Sequence, residues 1–351
     1  MQVANAKRIG IEAEVRTYTL DGTITTNGVL LTQSNRNIID NQLNYPYLKI
    51  VSEGTGTGSL YMEAIFGPVP FTEIATVKKV LRILLAVKGK TLAEWVTDFN
   101  AQIKGKVPIH YTLNMPPTTP GGIGNTKLKI MPGTQNLSIQ TNIAVPLEAF
   151  RGLEFNTFFE GSGLGTIFKQ AQDWICKDKI CGTNLTPQLE SLSIFICYLS
   201  LVYDKERKNI GDTTGNIKQN FQVLPKTSPK DMGQYLNATE QNIINNPNYI
   251  ANVTPAKVGT NVSTNIVNYI TNVTQSFGNY NASPHLTPRP TNIIPVMDVT
   301  PAQVGKPNHY IVIEIRKSDN PINRAINDFS KSEDSIIKDL ELIAPIKKWL
   351  K

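Results

Sequence analysis

The stretch Arg8-Ile9-Gly10-Ile11-Glu12-Ala13-Glu14-Val15-Arg16 constrains this chain more than any other. Strict alternation of apolar and charged residues is a strand pattern. It turns Ile11, Ala13 and Val15 to one face and Glu12 and Glu14 to the other. A second stretch, Gly58-Ser59-Leu60-Tyr61-Met62-Glu63-Ala64-Ile65-Phe66-Gly67-Pro68, puts Glu63 between Met62 and Ala64 in a run that reads as buried. A buried carboxylate is costly unless paired, and a divalent cation is the cheapest shared partner for three of them. The plainer alternative is a solvated edge, on which these glutamates do nothing but face water.

Other strands repeat the pattern. Leu137-Ser138-Ile139-Gln140-Thr141-Asn142-Ile143 alternates, with Ser138, Gln140 and Asn142 sharing one face. In His309-Tyr310-Ile311-Val312-Ile313-Glu314-Ile315-Arg316 the polar pair is Glu314 and Arg316. Each could be a solvent face, or in the last case an ordinary cross-strand ion pair of little energetic weight. Four strands with polar groups at i and i+2, counting Tyr61 and Glu63, point to one sheet with a charged, wet face.

Between the strands lie helices. Thr72 is placed as the N-cap of an apolar-periodic helix running through Val87, and a second helix spans about 91–103. Val107 to Leu113 has β character, and Pro187 to Tyr203 reads as a helix apolar nearly all round, hence buried. An amphipathic helix is expected from Pro229 to Asn245, and two more close the chain, at 321–329 and 332–350. The Gly54-Thr55-Gly56-Thr57-Gly58 segment reads either as a hairpin connection or as a loop whose amides approach a phosphate. It is not a P-loop, because no Gly-Lys-Ser/Thr follows. The fold class expected is α+β, with a largely antiparallel sheet lining a site and covered by helices. Residues 1–204 form the first part of the domain, 205–300 an Asn/Thr/Pro-rich insertion or lid, and 301–351 the closing strand and C-terminal helices.

Composition narrows the classes. A net charge of +7 favours acidic partners, but the basic residues are scattered, without the dense runs and interleaved aromatics of a nucleic-acid surface. Cys176, Cys181 and Cys197 are too few for a disulfide framework and read as core thiols in helical surroundings. The longest apolar run, Leu192 to Val202, is too short to span a bilayer, and the N-terminal residues lack a signal-peptide core. The expectation is a cytoplasmic protein, or a secreted or injected effector without a signal peptide, that does not engage a membrane.

The opening Gly10-Ile11-Glu12-Ala13-Glu14 strand, then Glu53 to Pro68 and an apolar helix, resembles the carboxylate–amine ligase superfamily of glutamine synthetase, γ-glutamylcysteine ligase and the amidoligases. Actin cross-linking toxin domains share that resemblance. The family habit is a G-x-E-x-E first strand, a later acidic strand ending in a Pro turn, and an Arg-bearing strand near the end. It implies a glutamine synthetase-like fold and ATP-dependent amide formation through an acyl phosphate. Glu12, Glu14 and Glu63 would then hold Mg2+, with Glu314 a further ligand. Gln140 and Asn142 would orient nucleotide or substrate, and Arg316 would clamp a phosphate or carboxylate. Arg289 is a loop candidate for a transition-state phosphate contact. Glu53 stands where amidoligases tend to carry Asp, which leaves its catalytic role open. The implied substrates are a nucleotide and a carboxylate and amine borne on small molecules or proteins. A bacterial effector modifying a host protein such as actin, and a biosynthetic amidoligase acting on small amino acids or peptides, are both consistent with the resemblance. The reading from another class is a non-catalytic structural or binding protein of a phage or injection apparatus.

Overall fold

The computed structural model describes residues 8–21, 30–35, 46–53, 60–88, 91–115, 129–132, 137–146, 150–151, 164–178, 186–210, 223–225, 237–244, 249, 253, 310–315 and 321–342. It is an α+β arrangement of two compact units, one comprising Met1–Ile143 with Arg316–Leu342, the other Ala144–Ile315 with Ile343–Lys351. Most of the 205–300 segment, including its Pro-rich part, lies outside the described residues.

The first unit is built on an antiparallel sheet. Its strands are β1 (Arg8–Asp21), β2 (Leu30–Ser34), β3 (Leu48–Glu53), β4 (Leu60–Pro70), β5 (Leu113–Asn114), β6 (Lys129–Pro132) and β7 (Leu137–Pro146). They run in the order β5-β2-β3-β4-β1-β7, with β6 also pairing with the far end of β1. β3 and β4 are antiparallel neighbours with Glu53 opposite Tyr61, the pairing expected of a hairpin, although the Gly/Thr connection itself is outside the described residues.

The alternation read from the sequence decides which face is core. Ile9, Ile11, Ala13 and Val15 of β1 are buried with Met62, Ala64 and Phe66 of β4 and Ile139 and Ile143 of β7. Helices α1 (Ile74–Ala86) and α2 (Leu92–Ile103) contribute Val77, Leu81, Leu84, Trp95 and Phe99 to the same core. Each buried side chain of that size is worth about 1.5–3 kcal/mol against exposure. Tyr18, also on β1, donates its hydroxyl to the carbonyls of Leu84 at 2.8 Å and Val87 at 2.7 Å. These are orphan acceptors at the end of α1, so the strand caps the helix. Thr91 opens α2 with a capping box to Glu94.

Two local expectations give way. Thr72 does not cap α1, because Phe71–Glu73 forms a 3-10 turn and Glu73 takes the N-cap without a side-chain cap bond. The Glu73 carboxylate is engaged elsewhere, accepting from Tyr111 Oη at 2.9 Å and lying 3.3 Å from His110 Nε2. Val107 to Leu113 is not a strand. Pro108, at φ −58° and lacking an N–H, starts a 3-10 turn over Ile109–Tyr111 that turns His110 and Tyr111 inward, and only β5 follows. Asn100 of α2 then brackets Leu113, donating to its carbonyl at 2.8 Å and accepting from its N–H at 2.9 Å.

In the second unit, α3 (Leu164–Asp178) packs with α4 (Pro187–Ile210), and the expected buried helix is borne out. Leu189, Leu192, Ile194, Phe195, Ile196, Cys197 and Tyr198 are all buried. Its buried serines are satisfied locally: Ser191, Ser193 and Ser200 each donate to the carbonyl four residues back. Helix α5 (Ala238–Ile244) is shorter than the helix expected there, and Glu240 joins its cap to that of α4 by accepting from both Asn237 N and Thr186 Oγ1. β8 (Val223–Pro225) and β9 (Tyr310–Ile315) pair antiparallel. Of the thiols, Cys197 is buried as expected, whereas Cys176 is on the exposed side of α3 and donates to Glu190, at 3.4 Å. No helix among the described residues is long and apolar enough to cross a membrane.

The first unit is completed by α6 (Pro321–Asn327) and α7 (Glu333–Leu342), joined by a turn that α1 grips through cations. Buried Lys78 donates to the carbonyls of Asp328 and Lys331, and Arg82 to those of Phe329, at 2.6 Å, and Lys331. Burial, and then the nearby Arg82 charge, lowers the Lys78 pKa. A depressed folded-state pKa means that the folded form binds the proton less well, so stability from this group is recovered as pH rises toward the unfolded value of 10.5. Urea unfolding of wild type and Lys78→Met should show the wild type gaining stability relative to the variant between pH of about 8 and about 10. An unchanged difference would mean that the ammonium is not penalised in the fold.

Candidate functional site

The second face of the first unit's sheet gathers the polar residues. The register puts Glu14 directly opposite Glu63 on one side and Ser138 on the other. The next row along the same face sets Glu12 between Ile65 and Gln140, and the row beyond brings Gly10 opposite Asn142. Glu12, Glu63, Gln140 and Asn142 are all nearly buried, with exposures of 5–9%. The solvated-edge reading of Glu12 and Glu63 therefore does not hold.

Two amides hold two carboxylates. Gln140 Nε2 donates to Glu14 Oε1 at 3.1 Å, and Asn142 Nδ2 donates to Glu12 Oε1 at 3.0 Å. Because a carboxylate offers only acceptors, the NH2 end of Asn142 must face Glu12 and its carbonyl oxygen must point away. That oxygen, Oδ1, is buried without a hydrogen-bond partner. An orphaned buried acceptor costs about 1–3 kcal/mol and is met by a donor or a cation.

Glycine at position 10 is what admits Asn142. A Cβ there would sit 3.1 Å from Asn142 Cβ and 3.6 Å from Nδ2. That is closer than ordinary packing, so Asn142 would have to give way by a few tenths of an ångström, and the glycine of the first strand has a packing role in the site.

A divalent cation fits part of this set. The register sets Glu14 opposite Glu63, and like charges directly opposite in a sheet are destabilising. Among the described residues, no three His, Cys, Asp or Glu side chains form a group that could hold a metal by themselves. Mg2+ does not require one, since it usually takes one or two carboxylates together with waters and substrate phosphates. Glu14 and Glu63 are the pair that register sets opposite each other, with Glu12 in the next row.

Of the remaining candidates, two lie on described strands. Glu53 ends β3 with its backbone opposite Tyr61. Glu314 lies in β9 of the second unit, fully buried and opposite Leu224. Arg289 and Arg316 lie outside the described residues. Gly10 is the member that the sequence reading did not single out as functional, and its signal was the small residue two positions before Glu12.

No protein-family model matches the chain, and no curated protein matches it. Among solved structures it is similar to the ACD domain of a VgrG toxin from Vibrio cholerae, a point mutant in complex with ADP and Mn2+. The identity is 12% and the TM-score 0.48, over 90% of this chain and 95% of that one. A likeness at that level does not say which residues perform chemistry here.

The amide–carboxylate geometry has a checkable pH signature. Asn142→Asp sets a carboxylate against Glu12 where a donor stood, and the pair can persist in the fold only by sharing a proton. Sharing a proton raises the folded-state affinity for it, so stability should be near wild type below the carboxylate range and fall as pH rises through it. Denaturant unfolding should show a loss of about 2 kcal/mol or more at neutral pH. A variant equally stable at both pH values would remove the Asn142–Glu12 contact from the account.

Proposed function

We propose that this chain is an ATP- and Mg2+-dependent ligase of glutamine synthetase-like fold, forming an amide bond through an acyl phosphate. One observation supports this reading above the others: three carboxylates share a largely buried sheet face, two of them held by side-chain amides. Phosphoryl transfer asks the protein mainly for positioning and for control of charge. The substrate carboxylate takes the γ-phosphoryl group as ADP leaves; the amine nitrogen then attacks the acyl carbon, phosphate departs and the nitrogen loses a proton.

In this reading Glu14 and Glu63, with Glu12 adjacent, hold the cation. A cation held there would supply positive charge against the negative charge that develops during phosphoryl transfer. Gln140 and Asn142 hold the carboxylate rotamers rather than touching the nucleotide as their first task, a change from the role that the resemblance implied. The orphaned Oδ1 of Asn142 is the acceptor left for a bound donor or cation. Arg316 and Arg289 keep the phosphate and carboxylate contacts that the resemblance implied for them, and the catalytic role of Glu53 stays open.

The test is calorimetric titration of ATP, with and without Mg2+, into wild type and into the Glu12→Gln/Glu14→Gln double variant. Wild type should bind only with Mg2+. The double variant should bind at least tenfold more weakly while unfolding at a similar denaturant concentration. If wild type binds no nucleotide under either condition, the ligase reading fails and the non-catalytic binding protein takes its place.

Within the ligase class, a protein acceptor is favoured over a small metabolite by the net charge of +7, which accelerates encounter with acidic surfaces. An injected effector acting on a host protein such as actin fits this arrangement. Incubation with Mg-ATP and actin should yield a covalent amide-linked product on a denaturing gel. The initial rate should drop severalfold between low salt and about 0.15 M, where the Debye length is about 8 Å. Turnover of free amino acids with no product on actin would shift the reading to the biosynthetic ligase.

A further inference from the structure

The turn between α2 and β5 carries an apolar run that the fold holds out in water. Lys104, Gly105, Lys106, Pro108 and Ile109 are exposed, and Val107 is half-buried. Ile109, at 66%, is the more exposed of the two large hydrophobic side chains that face solvent among the described residues. A lone aliphatic side chain on a surface is ordinary. Val107, Pro108 and Ile109 in succession, behind two lysines, form a pattern that surfaces avoid unless it is used.

The turn is also rigid. Lys104, at φ −55° and ψ 121°, and Gly105, at φ +74°, are the centre of a type II turn closed by Lys106 N donating to Ile103 O at 2.9 Å. Val107 N donates to the same carbonyl at 3.2 Å, and Tyr111 N and Thr112 N donate to Pro108 O and Ile109 O at 3.2 and 2.9 Å. Both ends are anchored in the core, by Ile103 before the turn and by His110 and Tyr111 after it. Little backbone order is left to impose when a partner arrives.

Its charge is of one sign. No Asp or Glu occurs between Asp98 and Glu148, and among the described residues neither Lys104 nor Lys106 forms an ion pair. Cations just past the end of α2 answer the partial negative charge of its free carbonyls, which accounts for the lysines but gives Ile109 no task. The turn leads into β5 at the edge of the sheet, three strands and roughly 14 Å from β4, so it stands apart from the carboxylate cluster.

Resting on the ligase reading with a protein acceptor, we propose that Lys104–Ile109 is the turn by which this chain docks on that acceptor. Ile109 enters an apolar depression, and Lys104 and Lys106 meet acidic residues around it, the arrangement of an apolar anchor inside a polar rim. A second copy of the chain is a poor occupant, because each copy carries a net charge of +7. An anionic membrane is a poor one too, since lipid-binding basic clusters gather about 4–8 Lys or Arg and this turn offers Lys104 and Lys106.

The experiment follows initial rates of product formation on actin, at saturating Mg-ATP and varied actin, for wild type, Ile109→Leu, Ile109→Asp and Lys104→Glu/Lys106→Glu, with ATP binding to each measured by calorimetry. Ile109→Asp and the double variant should raise the KM for actin at least fivefold while kcat and ATP affinity stay unchanged. Ile109→Leu should behave as wild type. An unchanged KM in Ile109→Asp overturns the docking role. A parallel loss of kcat or ATP affinity overturns it as well, because the turn would then be supporting the fold. Wild-type sedimentation with phosphatidylserine vesicles that Ile109→Asp abolishes would make a membrane the occupant, and a wild-type dimer that Ile109→Asp dissolves would make it a second copy; either overturns the proposal. If wild type binds Mg-ATP and makes no product on actin, the docking role falls and the ligase reading stands. If wild type binds no nucleotide, the ligase reading falls and takes the docking role with it.

Discussion

Everything placed on the polar face depends on β1 being unable to slip. Its Ile9, Ile11, Ala13 and Val15 are all buried, and a one-residue shift would turn that apolar set toward the carboxylates' side and the glutamates into the core. The cost of such a slip is several buried aliphatic side chains at about 1.5–3 kcal/mol each, together with the burial of two charges against hydrocarbon. Against that, the repulsion of two like charges set opposite each other, about 1 kcal/mol for a cross-strand pair, is small. The core face of one strand therefore holds in place an arrangement of charge on the other face that would not form by itself.

The choice of amides as partners is informative. A guanidinium in the place of Gln140 or Asn142 would bind these glutamates more strongly, but it would also cancel their charge. Side-chain amides satisfy one oxygen of Glu14 and one of Glu12 at 3.1 and 3.0 Å and leave the carboxylates' own charge in place. They also remove rotamer freedom, so less ordering remains to be done when a ligand arrives. Stability and preorganisation thus draw on different groups. The aliphatic face supplies the first and the amide–carboxylate pairs the second.

Much of this was legible in the residues, because period-two alternation reports directly on which face a side chain takes. Glu12 and Glu14, Glu63, and Gln140 and Asn142 could each be placed on a strand and a face from local pattern. What alternation could not supply was register, a property of two strands at once. Nothing in the sequence said that Glu14 would oppose Glu63, or that Asn142 would lie over Gly10. Side-chain competition was equally hidden. Thr72 loses the N-cap to the 3-10 turn over Phe71–Glu73, the Glu73 carboxylate is held by His110 and Tyr111 some forty residues away, and the β-like run at 107–113 yields to the φ constraint of Pro108. For Glu53 and Glu314 the backbone gives a strand position each, at the end of β3 and in β9.

The grip of α1 on the turn at 328–331 ties the site to the far end of the chain. The helix that backs the sheet carries Lys78 and Arg82, and their donors meet the carbonyls of Asp328, Phe329 and Lys331, roughly 250 residues later in sequence. Cations at a helix C-terminus answer the partial negative charge of its free carbonyls, and here they also bury an ammonium that needs those acceptors. The C-terminal segment supplies the carbonyls that meet Lys78, on the very helix whose end Tyr18 of β1 caps. The unit bearing the carboxylate face therefore cannot reach its final packing from the first 143 residues alone. Removing 321–342 should loosen α1 first and, through α1, the strand on which Glu12 and Glu14 stand.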